Sequence, residues 1–439
     1  MTHSSPRAIR YFRRNWLAFF GDYLFFGVGL TFASGSTTLP AFVASLTGNT
    51  VIIGAVSSVL TGVWLLPQIF AANYLTDKPR KYPFMMAGEL IGRASFPLFV
   101  IWLLVTGVRY KTLTLVFFFA MLVFFWSFDA FVALAWSDLF GKAIAPEKRG
   151  RLMGLAQAAT GILSIPAGIG IRYLLSSQGP AYPANYTIIF ALASVGFWGS
   201  MVCCGMIVEM PEATPETRPA WRDYLPHLTQ LWSRDRAFSR VTIIRLLTGV
   251  GAMSTAFYVV YAIESLHLPT SAIGLFATAN TLGVALAGFI FGTLADRHGP
   301  QSVIRVSTWL AFSVPVLALV INSGVLGGAV SWVYPVLYIL LGLIDGGAFM
   351  GFWNYVLEIA PPGHRPTYMG LTNTIVGLTV LLPIFGGFLL GRTSYMMLFA
   401  LTAIGTLAGA LLGASLPNPR AADFQRPMLD GEVPEHDSR

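Results

Sequence analysis

The chain has 439 residues, of which 55% are hydrophobic, 14% aromatic and only 11% charged, with a mean hydropathy of +0.66. That composition excludes a soluble globular domain and a disordered chain alike. The two cysteines, Cys203 and Cys204, are adjacent, which excludes a disulfide framework and offers no metal-ligand spacing.

Apolar stretches long enough to cross roughly 30 Å of hydrocarbon recur twelve times. They run at about residues 15 to 38, 51 to 72, 83 to 107, 112 to 139, 151 to 175, 184 to 208, 241 to 263, 270 to 295, 303 to 322, 330 to 358, 367 to 390 and 394 to 415. The alternation of a membrane barrel is absent, so helices are the reading that satisfies the backbone in lipid. The expected fold class is therefore an all-α integral membrane protein with twelve transmembrane helices.

The opening "MTHSSPRAIRYFRRNW" is basic and leads into a hydrophobic run too long for a signal-peptide core. Residues 1 to 14 read as a tail and 15 to 208 as the first six helices. Residues 209 to 240, a polar segment, form a linker, and its stretch from Trp221 to Trp232 has the periodicity of a short interfacial helix. Helices 7 to 12 occupy 241 to 415, and 416 to 439 form a polar tail expected to be disordered.

Lys and Arg set the orientation. Four of them, Arg109, Lys111, Arg172 and Arg392, fall on odd-to-even connections and two, Arg93 and Arg245, inside helices, leaving 22 of the 28 on the tails and the opposite connections. The positive-inside rule then places both termini in the cytoplasm. The net charge of +8 follows membrane topology, and no separate basic domain exists to bind nucleic acid.

The two halves repeat. "TGNTVIIG", ending at Gly54, and "LPTSAIG", ending at Gly274, stand 220 residues apart, and the following turns "NYLTDKPRKYP" and "GTLADRHGP" align Asp77 with Asp296 at 219. A second pair, "FDAFVALAWSDLFGKAIAPEKRGRLMGL" and "IDGGAFMGFWNYVLEIAPPGHRPTYMGL", aligns Asp129 with Asp345 and Arg149 with Arg365 at 216. A steady offset implies duplicated, pseudo-symmetric six-helix bundles, the internal symmetry of secondary transporters.

At these residues the chain resembles the major facilitator superfamily. That family's turn after helix 2, often repeated after helix 8, reads approximately G-x-L-a-D-r-x-G-r-[KR]. Gly292, Leu294, Asp296, Arg297 and Gly299 match it, while Pro300 and Gln301 replace the later basic positions. In the first half Leu75, Asp77 and Lys78 fit and Arg80 and Lys81 supply the basic end, but Asn73 and Pro79 stand where glycines are usual. The resemblance implies a cytoplasmic clasp between halves, with Asp77 facing the start of helix 11 and Asp296 the start of helix 5. It also implies that helices 1, 4, 7 and 10 line a central cavity. "GILSIPAGIG", Gly161 to Gly170, partly follows the helix-5 pattern of the family's drug-proton antiporters, and "LPIFGG" in helix 11 echoes it.

A charge at the bilayer centre costs at least about 2.5 kcal/mol, so each deep ionisable residue asks for a partner or a watery cavity. Asp129 and Asp345 are the candidate proton carriers or cation-binding groups, with Trp126, Tyr258, Tyr338 and Asn354 as candidate lining. Glu89 and Arg93, four apart with the acid first, form a structural intrahelical pair. Asp22 and Arg245 are placed to pair across the halves as a gate, beside the gate residues Arg149 and Arg365, with Asp138 and Glu358 at helix ends nearby.

No phosphate loop, HExxH, CxxC or nucleophile elbow is present, so no enzyme and no cofactor are expected, only a proton as coupling ion. The resulting expectation is a monomeric transporter in a bacterial cytoplasmic membrane. Its partners are the lipid bilayer and a small-molecule substrate. The first reading is proton-coupled export of amphiphilic compounds, and the alternative is an uptake carrier or uniporter for a sugar or organic acid. A transport-inactive receptor or scaffold is the third.

Overall fold

The computed structural model describes residues 6–76, 78–144, 146–209, 235–360 and 365–421. Among these residues the chain is all helical and forms twelve successive rods. We label them α1 (Pro6–Phe32, resumed over Thr38–Leu46), α2 (Thr50–Thr76), α3 (Tyr82–Thr106), α4 (Lys111–Ala143), α5 (Pro146–Leu174) and α6 (Ala184–Cys204). The second set is α7 (Arg236–Glu264), α8 (Ala272–His298), α9 (Pro300–Asn322), α10 (Gly327–Ile359), α11 (Arg365–Val376 and Leu382–Leu390) and α12 (Tyr395–Ala414).

Ten of the rods, α3 to α12, contain segments long and apolar enough to cross a bilayer, and α2 contributes a shorter apolar stretch, Thr50–Leu65. Large apolar side chains such as Leu104, Val105 and Trp332 lie on the outside, where lipid rather than water would meet them. The chain is a multi-pass membrane protein.

The first rod departs from expectation. It begins at Pro6, inside the basic segment read as a tail, and breaks at residues 33 to 37 before continuing to Leu46. The break falls on "ASGST", where the Ser34 carbonyl accepts from both Thr37 N and Leu39 N. The backbone amides turn back onto one carbonyl here, and the Ser34 and Ser36 hydroxyls pair with each other at 3.3 Å. The rod α7 is likewise interrupted by a tight turn at Gly249–Gly251, α10 by a π-turn at Phe349–Trp353 and α11 by a tight turn at Gly377–Leu381. Three of the four rods expected to line a cavity are therefore irregular, as substrate-binding rods of transporters often are. The fourth, α4, runs unbroken for 33 residues.

Rods α1 to α6 pack among themselves, as do α7 to α12, and the two bundles meet through α2 against α11 and α5 against α8. Phe42, Phe99, Phe118 and Phe190 form the aromatic core of the first bundle. Tyr258, Phe276, Tyr334, Tyr338 and Phe399 form that of the second. The expected interfacial helix between Trp221 and Trp232 lies outside the described residues, as does most of the C-terminal tail.

Candidate functional site

Four rods of the first bundle bring ionisable groups to one buried point. On α3 the Arg93 Nε lies 2.7 Å from Glu89 Oε2, and its Nη2 donates to Glu89 Oε1 at 3.3 Å. Its Nη1 reaches across to α4 and meets Asp129 Oδ1 at 3.0 Å. Asp22 of α1 accepts from Trp136 Nε1 at 2.6 Å and from Ser200 Oγ at 2.5 Å. The Cys204 thiol of α6 approaches Glu89 Oε1 at 3.8 Å. The guanidinium is enclosed by the rings of Phe26 and Phe125, each 4.8 Å away, and of Phe197. Arg93 and the three carboxylates are all buried.

Formal charge there is three carboxylates against one guanidinium. Ligand atoms of Asp22, Glu89 and Cys204 come within 4.8 Å of one another, a spacing a metal ion could use. Their oxygens are already committed to Arg93, Ser200 and Trp136, however, so a metal would have to displace an existing cation.

Among the described residues the second bundle lacks this arrangement. Its counterpart of α3, α9, carries no charge except Arg305, whose Nη2 donates to the Leu416 carbonyl at 2.7 Å near a rod end. Asp345 on α10 is exposed, and no charged side chain pairs with it among the described residues. The Asn280 side chain of α8 lies beside it. The next residue, Thr281, is within 3.3 Å of Thr31 on α1, and Gln157 of α5 donates to the Val284 carbonyl at 2.9 Å. This stretch of α8, and Asp345 with it, therefore borders the opposite bundle.

The two bundles are zipped together on the side away from the termini, and the zipper repeats. Thr50 Oγ1 donates to the Gly387 carbonyl at 2.7 Å, and Thr270 Oγ1, its repeat counterpart, donates to the Leu175 carbonyl at 2.9 Å. A Cβ on Gly54 would strike the Pro383 carbonyl, and one on Gly274, its counterpart, would strike the Gly168 carbonyl. Side chains at Gly168 and Gly387 would collide with Thr278 and with the Thr50 carbonyl. Glycine is required at these positions because two backbones touch.

A family model described as Major Facilitator Superfamily matches residues 241–431, the second bundle with its tail. Across both bundles the chain resembles a bacterial homologue of the iron transporter ferroportin in an inward-facing state (TM-score 0.67, 14% identity, covering 93% of this chain and 98% of that one). It resembles a D-xylose-proton symporter to a similar degree (TM-score 0.66, 12% identity, 92% and 97%), and also the nucleoside transporter NupG (TM-score 0.60, 14% identity, 92% and 98%). No curated protein matches the chain significantly in sequence. The second bundle thus matches this family's model, and both bundles together have the fold of these transporters.

Within the first bundle, Glu89 and Arg93 do form the expected pair, but Asp129 joins it. An Asp129 held by Arg93 is not the free cavity carboxylate read from the sequence. Asp345, its repeat counterpart, has no such partner among the described residues. The gate expected between Asp22 and Arg245 does not form, because Asp22 is consumed by Ser200 and Trp136, and Arg245 Nη1 instead donates to Asn373 Oδ1 of α11 at 3.3 Å.

Tyr258 and Tyr338 do not line an opening. Both are fully buried, Tyr258 stacked on Phe399 and Tyr338 on Phe276 at 4.7 Å, because they fill the aromatic core of the second bundle. Trp126 is half-buried against Phe125. Asn354 is exposed, and its amide donates to the Met350 carbonyl of its own rod at 2.8 Å.

At the terminal side, Asp77 lies outside the described residues, as do the side chains of Arg149 and Arg365. Arg80 is exposed, while Lys81 pairs with Asp138 at 2.9 Å, alongside Lys142. Glu209 accepts from the backbone N of Lys81 and Tyr82, a carboxylate at a helix N-terminus within one bundle. Asp296 and Arg297 are exposed, and Gly292 has open space where a Cβ would stand, so the expected close packing at that glycine is absent. The turn is tied instead by Arg420 of the tail, which donates to Glu358 at 2.6 Å and to the Ala295 carbonyl at 3.1 Å. The neighbouring carboxylate raises the Arg420 guanidinium above its ordinary value. Sequence reasoning missed Glu209 and Arg420, because each acts through a contact distant in sequence and neither belongs to a motif.

Two predictions arise. Replacing Arg93 by Gln strands buried carboxylates and should cost about 3–5 kcal/mol, read as a lower thermal midpoint of purified protein. Adding Glu89→Gln and Asp129→Asn to it should recover much of the loss. Gly168→Leu and Gly387→Leu should separate the zipped ends, lengthening the distance between spin labels at positions 49 and 392. Gly170→Leu, where a Cβ meets nothing, should leave that distance unchanged, and an equal effect of all three would count against the zipper.

Proposed function

We propose that this protein is a proton-coupled secondary transporter that works by alternating access, rocking its two bundles about a central site. Asp345 carries the proposal, as a carboxylate with no charged partner among the described residues, deep in a membrane rod and beside the facing bundle. Such a group must be neutralised by a proton or a bound cation for each crossing, which is what coupling requires. The buried acid-rich cluster around Arg93 supports the same reading, since its excess negative charge calls for protons or another cation.

In this reading the protein is a monomer in a bacterial cytoplasmic membrane with both termini inside, and it exports small amphiphilic compounds. The D-xylose-proton symporter of like fold makes proton coupling compatible with this architecture. An uptake carrier for a polar metabolite is the second reading, and its organic-acid form is favoured by Arg245, a guanidinium with no carboxylate against it among the described residues. The partial helix-5 resemblance around Gly161 to Gly170 favours export.

The test is proton movement in proteoliposomes when lipophilic cations, sugars, amino acids or organic anions are added under a pH gradient. Asp345→Asn should reduce substrate-evoked proton movement at least tenfold at an unchanged amount of folded protein. Unchanged proton movement in that variant would remove Asp345 from the mechanism.

A further inference from the structure

The first bundle holds its intramembrane cation, Arg93, between carboxylates, whereas the second holds one, Arg245, against an amide alone. Arg245 is half-buried, and no acidic side chain reaches it among the described residues. It stands nine residues into α7 from Arg236, about 14 Å along the rod at 1.5 Å per residue. Asn373 stands eight residues into α11 from Arg365, about 12 Å by the same rise, so the two meet at one depth. Asp345 is fourteen residues from the end of α10 at Ile359, about 21 Å in, and therefore about 7 Å deeper than Arg245.

A guanidinium has five N–H donors and cannot be deprotonated in a protein. One of those donors is spent on Asn373 Oδ1. The Asn373 amide, with its oxygen occupied, keeps its own N–H groups for a further acceptor. Donors of this kind, converging at one point inside a membrane protein, fit the oxygen pair of a carboxylate or phosphate. A partly desolvated cation left without such a partner is costly.

We infer that Arg245 and Asn373 form an anion subsite, and that the transported compound is a small organic anion whose charged oxygens dock there. This rests on the transporter reading but not on export or on proton coupling. A bound anion in the same bundle, shallower than Asp345, would favour a proton on that residue, and by linkage the proton would favour the anion.

The shared chemistry could also be met by an anionic lipid headgroup, and the experiment separates the two. Purified full-length protein in neutral detergent is titrated with benzoate, benzamide and benzylammonium, three probes of one shape and different charge, and the thermal midpoint is followed. Benzoate should half-saturate the shift at a concentration at least tenfold below that of benzamide. Arg245→Lys should keep a weakened preference and Arg245→Gln should lose it.

Asn373→Asp is the decisive variant, because it supplies an internal carboxylate. It should raise the ligand-free midpoint and abolish a benzoate preference present in the unaltered protein, and the loss of that preference is what a purely structural Arg245 would not produce. No charge preference in the unaltered protein, or a preference surviving in Arg245→Gln, would overturn the inference. A benzoate response retained in phosphatidylcholine nanodiscs but lost in phosphatidylglycerol ones would assign the site to lipid and overturn it as well. Labelled benzoate that binds without crossing proteoliposomes would sink the transport reading and leave the subsite standing. Flux indifferent to the charge of the probe would do the reverse.

Discussion

A charge in hydrocarbon must be neutralised by something the fold itself brings to it, and the first bundle is arranged around that requirement. Arg93 lies where α1, α3, α4 and α6 converge, with Glu89 and Asp129 on its nitrogens, Asp22 nearby and three phenyl rings around its plane. Leaving any of these groups alone costs several kcal/mol, so each rod is tied to the others by a penalty for departing. The interaction specifies which rods are neighbours more than it adds net stability, since forming a buried ion pair barely offsets its own desolvation.

Among the described residues the interior of the second bundle packs without a buried ion cluster of this kind. Gly342 of α10 sits against the Asn280 carbonyl of α8, so close that no Cβ would fit, and stacked tyrosines and phenylalanines fill the rest of the interior. With no internal salt bridge of the Arg93 kind among the described residues, this half leaves Asp345 and Arg245 with their charges unmatched. The duplication thus diverged. One aspartate of the repeated pair is held by Arg93, and the other has no charged partner among the described residues.

Length and apolarity disclosed the rods, and the repeat offsets disclosed the two bundles, because both depend on patterns local to a segment. The Glu89 and Arg93 pair was legible for the same reason, being four residues apart on one helix. Its third member was not, since the Arg93 contact with Asp129 crosses from α3 to α4 and depends on rod rotation. Tyr258 and Tyr338 misled because tyrosine suits a wet opening and a packed core equally. The break at residues 33 to 37 was hidden inside an otherwise continuous apolar run, and Arg420 lay in a segment whose composition predicts nothing ordered.

The repeated aspartates and the repeated glycines carry different parts of the proposed mechanism. The zipper between the bundles uses threonine hydroxyls on carbonyls and glycine against backbone, with no ion pair among the described residues and little side-chain interlock. Contacts of this kind in membranes are worth about 0.6 kcal/mol on average, so a few of them can hold one side shut and still release. A salt-bridged zipper would be far harder to open, because each separation would strand a charge in a low dielectric. In the proposed mechanism, strong ionic ties inside a bundle and weak, glycine-lined contacts between bundles would let each half move as a body while the seam between them yields first.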